Sequence, residues 1–151
     1  MCEWQERNPM QSMSLELWAL FGAFGITALS IFLQGAHLGA SAGNAYVVSD
    51  RSAPAPFEGP MGGRLARNVR NQIEGMALFL PLVAIATFAG ISNGWTARGA
   101  LVFVCARALY VPLYAFGVPG LRSLVWTAGF FALVAFAWGI FKSAAFPALP
   151  T

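Results

Sequence analysis

The sequence predicts an all-α integral membrane protein, a bundle of four transmembrane helices. Three observations carry that prediction. Of the 151 residues, 58% are hydrophobic and only 10% charged, and the mean hydropathy of +0.63 lies outside the range of soluble globular domains. Four segments approach the roughly 20 apolar residues that a helix needs to cross the hydrocarbon core. Between the first and second of them lies one long stretch of Ser, Gly, Ala and Pro, which no helix would run through unbroken.

The segments follow in order. The first carries no charge between Glu16 and His37, and its Gly22, Gly25, Ala28 and Ser30 are small enough to let helix backbones approach closely in lipid. Gln34 and His37 at its far end are expected to meet water and headgroups at the interface, the alternative being that they reach a polar cavity. The loop from Gly39 to Gly63 contains Asp50, Arg51, Pro54, Pro56, Glu58 and Pro60. The second helix begins with polar turns and contains Pro81, which removes a backbone hydrogen bond and is expected to kink it. Ser92-Asn-Gly-Trp95 forms a short turn into the third helix, which carries Arg107 near its middle. The fourth is uncharged from Leu124 to Phe141. Helices are therefore expected over about 15–38, 62–91, 97–117 and 121–142. Residues 1–12 are expected to be a flexible extension before a natural start at Met13, 13–142 the transmembrane domain, and 143–151 a tail. The first dozen residues contain Glu3, Glu6 and Arg7 rather than the basic start of a signal peptide, so the first span is expected to be retained.

Charge and cysteine content narrow the function. The net charge is +3, but the nine basic residues are scattered and form no run interleaved with aromatics, which argues against nucleic acid as a partner. Cys2 and Cys105 offer neither a disulfide framework nor metal-ligand spacing, and no metal is expected. With four crossings, Arg7, Arg98 and Lys142 share one side of the membrane, against Arg51, Arg64, Arg67, Arg70 and Arg122 on the other. The positive-inside rule then puts the long loop in the cytoplasm and both termini outside.

Chemistry concentrates in two places. Arg64, Arg67, Arg70, Asn71 and Glu74 open the second helix and, at about 100° per residue, project within roughly a third of its circumference. Lipid does not tolerate such a stripe at the depth of Glu74, so it is expected to face the bundle interior or a wet cavity. In the third helix Arg107, Tyr110 and Tyr114 share a face, and Arg122 and Ser123 open the fourth at the same end of the bundle. At its depth Arg107 calls for an internal partner, and Cys105 and Phe130, Phe131, Phe136 and Trp138 read as packing or lipid-facing residues.

These residues resemble those of the membrane-associated proteins in eicosanoid and glutathione metabolism, the MAPEG family. The resemblance covers about Leu15 to Phe141. Its most specific part is the RxxRNxxE pattern, matched by Arg67, Arg70, Asn71 and Glu74, with Arg64 upstream, an ARxxY-type face at Arg107, Tyr110 and Tyr114, and the pair Arg122 and Ser123 after the turn. It implies a homotrimer that binds glutathione between neighbouring subunits near the cytoplasmic end. Arg67, Arg70, Asn71, Glu74, Tyr110 and Tyr114 would hold the tripeptide, Arg122 would stabilise its thiolate, and a lipophilic substrate would arrive from the bilayer. Departures fall at helix one, which offers Gln34 and His37 where the eicosanoid enzymes often have a basic residue, at Trp126 in place of an aromatic hydroxyl, and in a shorter interval between Tyr114 and Arg122.

The chemistry of glutathione fits the same set. Two carboxylates, an ammonium and a thiol call for more than one Arg, at least one carboxylate and further hydrogen-bonding groups. Guanidinium forks grip carboxylates bidentately, Asn71 can donate and accept, and a thiol beside a cation is more fully ionised. Ser123 is a candidate donor to the sulfur. The leading expectation is a transferase or peroxidase activating glutathione against a lipophilic electrophile. A non-catalytic lipid-binding or scaffold protein of the same fold is the alternative, and a stripe that only pins the oligomer through ion pairs is the purely structural one. A small transporter ranks third, because no inverted repeat is visible.

Overall fold

The structure, a computed structural model, describes residues 13–50, 52 and 59–145. The expected N-terminal extension, loop residues Arg51, Pro54, Pro56 and Glu58, and the last six residues of the tail lie outside that range. The described elements are α1 (Leu15–Ala42), α2 (Asn44–Val47), α3 (Gly59–Phe88), α4 (Gly94–Phe116) and α5 (Pro119–Ala145). All but α2 are long and apolar enough to cross a membrane.

Helix ends differ from the sequence expectation by a few residues, each for a local reason. Pro60 falls in the first turn of α3, where its missing N–H would have had no helical partner, so α3 starts at Gly59 rather than near 62. It stops at Phe88 because Gly90 takes a left-handed φ of 65°, and Ile91 N–H reaches back to the Ala86 carbonyl at 2.8 Å. Asn93 then starts α4 with a capping box: its side chain accepts from Trp95 N and Thr96 N while Thr96 Oγ1 accepts from Asn93 N. Gly117, at φ 71°, closes α4 in the same manner as Gly90 closes α3.

α4 packs most extensively on α5, while α1 packs on both α3 and α4. At the centre Phe79, Phe103 and Phe136 are fully buried, with Phe79 4.5 Å from Phe103 and edge-on to Phe136 at 5.9 Å. Gly99 permits the α4–α5 approach, since a Cβ there would sit 2.8 Å from the Ala132 carbonyl oxygen. Large apolar side chains such as Phe32, Leu124 and Phe131 cover the outside, where the lipid is.

The polar stripe of α3 divides, with Arg64 and Asn71 turned partly inward and the other three outward. The inward face is Leu65, Asn68, Val69, Gln72, Gly75, Phe79 and Val83, whereas Arg67, Arg70 and Glu74 are exposed on the protomer. Helical arithmetic groups those three on one face but does not say which face seals the bundle. The amides take the interior because they find neutral partners: Asn68 Nδ2 donates to Ser30 Oγ at 3.2 Å and Gln72 Nε2 to the Arg107 carbonyl at 3.2 Å.

Candidate functional site

The site lies where the start of α3, the end of α4 and the start of α5 meet. A cavity of ~480 Å³ is lined by Asn71, Tyr110, Tyr114, Arg122, Ser123, Trp126 and Thr127. Five of the eight sequence-predicted site residues therefore share one space. A smaller cavity of ~130 Å³ adjoins it through Asn71 and Trp126 and brings in Glu74, Arg107, Leu78 and Phe130. Arg67 and Arg70 line neither cavity of this protomer.

Each lining group is held by its element. Tyr110 and Tyr114 are 4% and 7% exposed, one helical turn apart, with ring centroids 5.3 Å apart. The Arg122 guanidinium carbon sits 4.9 Å from the Tyr114 ring centroid, a cation–π contact that limits where the side chain can swing. Ser123 Oγ donates to the Pro119 carbonyl at 3.1 Å, so its proton is engaged in the first turn of α5 and its oxygen can only accept without a rearrangement. Arg64, half-buried, turns away from the cavity to donate to the Ala115 carbonyl at 3.3 Å. There it packs on the α4 C-terminus, over Gly117, where a Cβ would come within 2.8 Å of its guanidinium carbon.

Arg107 is the internal anchor. It is 7% exposed, and its Nη1 donates to both the backbone carbonyl of Asn71 at 3.3 Å and Asn71 Oδ1 at 3.2 Å. The guanidinium is flanked by Phe103 at 4.9 Å and Tyr110 at 5.9 Å, and its Nε is buried with no hydrogen-bond partner among the described residues. Gly75 makes room for it: a Cβ there would lie 2.6 Å from the Arg107 guanidinium carbon. Arg107 occupies the amide oxygen of Asn71, which leaves the NH₂ group of this cavity-lining residue as its donor. The surface facing the cavity is thus rich in donors: the Asn71 amide, two phenols and the Arg122 guanidinium.

Sequence reasoning missed Asn68 and Gln72. Their signal was present, since both stand in register with Leu65, Gly75, Phe79 and Val83 at spacings of three and four.

A helical bundle that spans the membrane, with a cavity lined by polar side chains near one end, defines a polytopic membrane protein. The chain belongs to the MAPEG family, whose sequence profile matches residues 15–142. No curated protein and no solved structure matches it. Membership makes the chain an integral four-helix membrane protein in contact with the bilayer and ties it to membrane glutathione or eicosanoid chemistry in general.

Proposed function

We propose that the protein is a membrane-embedded, glutathione-dependent transferase or peroxidase that activates the glutathione thiol against a lipophilic electrophile. The observation that carries this reading is the convergence of Asn71, Tyr110, Tyr114, Arg122 and Ser123 on one cavity. The donor set matches the ligand: Asn71 and the two phenols for carboxylate and carbonyl oxygens, Arg122 for the thiolate, and Glu74 in the adjoining cavity for the ammonium. Bound glutathione supplies the nucleophilic sulfur. The chain's part is to hold a positive charge where that sulfur ionises and to keep both reactants oriented away from water. Since Ser123 gives its proton to Pro119, the thiolate role falls on Arg122 alone.

Arg67 and Arg70 belong to this reading only in an oligomer, as groups that one protomer turns toward its neighbour. Their exposure on a helix long enough to cross the membrane supports a homotrimer whose sites lie between subunits. The distribution of basic residues supports a cytoplasmic site and external termini.

The experiment is an ultraviolet difference spectrum of the detergent-purified protein titrated with glutathione, read at the thiolate band. A saturable band is expected from the natural protein and none from Arg122→Ala with its oligomer intact. Glutathione binding without a band would leave a ligand site with no thiol activation. Absence of binding in an intact oligomer would favour the lipid-binding or scaffold alternative.

A further inference from the structure

The opposite end of the bundle holds a third cavity, of ~410 Å³, between the start of α1 and the turn joining α3 to α4. Leu17, Ala86 and Ile91 form apolar walls, Thr87 and Ser92 add hydroxyls, and Glu16 contributes a carboxylate. Glu16 is only 2% exposed. Thr96 Oγ1 donates to its Oε1 at 2.6 Å, Ser92 Oγ lies 3.0 and 3.3 Å from its two oxygens, and Ser14 adds a third hydroxyl. Apart from its own backbone N–H, every partner that the described residues give this carboxylate is a neutral hydroxyl. Arg98 and Lys142, the described basic residues at this end, are exposed.

Hydroxyl groups orient this carboxylate and the N-termini of α1 and α4 lend it partial positive charge, but among the described residues no side-chain cation completes the pairing. The scaffold around it is fixed: Thr96 belongs to the capping box of α4, and Asn93 Nδ2 ties that turn to the Gly139 carbonyl and to Ser143 Oγ, both at 3.0 Å. The cavity volume falls within the range that holds small ligands, with apolar walls and few, convergent polar groups. We propose that this cavity is a second ligand site, separate from the Arg122 cavity, for an amphiphile carrying one ammonium head and a short apolar body. The head pairs with Glu16 beside the Ser92 hydroxyl, and the body lies against Leu17, Ala86 and Ile91. Nothing in this assignment depends on glutathione.

The test is calorimetric titration of the full chain, in a neutral detergent, with octylammonium, using octanol and octanoate as comparators. Two variants accompany it: Glu16→Gln, which keeps the size of the side chain and removes its charge, and Thr87→Trp, which fills the cavity from an exposed position. Octylammonium is expected to bind saturably at one site per chain, at least tenfold more weakly to either variant, and octanoate not at all. Should Glu16→Gln fail to fold, Thr87→Trp carries the comparison. Equal binding to the natural chain and to the folded variants would mean partition into the micelle and would overturn the site. Octanol binding as well as octylammonium would overturn the reading of charge. So would the absence of binding, or binding seen only after removal of residues 1–12, since the cavity would then belong to the chain's own leading segment.

Discussion

Arg107 shows how one side chain sets the character of the candidate site without lining its larger cavity. By occupying Asn71 Oδ1 it leaves that amide as a donor toward the cavity. Gly75 is the position through which this can be tested. A methyl at Gly75 would come within 2.6 Å of the Arg107 guanidinium carbon, so Gly75→Ala is expected to push the guanidinium off Asn71 and to lower the melting temperature, since that group is buried and has its hydrogen bonds there. Glutathione affinity should then fall about tenfold, the scale of one charge-assisted hydrogen bond, while the thiolate band at saturation is unchanged, because Arg122 is not touched. Titration calorimetry and the difference spectrum read the two effects separately. Arg122→Lys makes the complementary distinction. It keeps a positive charge but loses the planar fork that lies over Tyr114, so a weakened band is expected where Arg122→Ala has none. Of the residues that matter at this scale, Asn71, Tyr110, Tyr114, Arg122 and Ser123 were legible because they carry polar groups at helical spacing within apolar sequence. The hydroxyl cage of Glu16 was not. Its shortest contact, to Thr96, joins residues 80 positions apart, and no local pattern encodes a pairing made only when α1 docks against α4.

At the scale of the element, sequence reasoning located the four spans because hydropathy and length are local properties, and it located the turn at Ser92-Asn-Gly for the same reason. The orientation of α3 was not available in that way. Two overlapping faces of this helix both repeat every three to four residues, one bearing Arg67, Arg70 and Glu74 and the other Asn68, Gln72 and Gly75. The choice between them depends on Ser30 of α1 and the Arg107 carbonyl of α4, which accept from the NH₂ groups of the two amides, while Asn68 Oδ1 stays buried without a partner among the described residues. Asn93 is the residue on which the α4 end depends most. It caps the helix, and its NH₂ group binds α5 at Gly139 and Ser143. Asn93→Ala is therefore expected to lose about 1 kcal/mol for the cap and a similar amount for each of the α5 contacts. A thermal melt in detergent should show a clear drop. The glutathione thiolate band should persist below the new transition, since the Arg122 cavity is at the other end of the bundle. Loss of the band in a folded Asn93→Ala protein would mean that the two ends are coupled through α4.

For the whole molecule, the unanswered demand is the exposed charge of α3. The helix has 30 residues, which at 1.5 Å each span about 45 Å, longer than the ~30 Å hydrocarbon core. Its first turns can therefore stand among the headgroups, with Arg67 and Arg70 near the boundary, while Glu74 falls where lipid would meet it. An ionised side chain at that depth faces protein or water rather than acyl chains. Within one protomer Glu74 borders the small cavity beside Arg107 but is otherwise exposed. In the proposed trimer a neighbouring subunit seated against this face would cover the remainder and bring Arg67 and Arg70 to a shared boundary. Native mass spectrometry from a neutral detergent is expected to give three times the 16.1 kDa chain mass for the natural protein. Arg67→Glu combined with Arg70→Glu places two further carboxylates beside Glu74 and is expected to shift the population to monomers, most strongly at low ionic strength, where like charges are least screened. A natural protein that is monomeric, with Arg67 and Arg70 replaceable at no loss of glutathione affinity, would confine the site to one chain and return the stripe to the headgroup region as a membrane-surface feature.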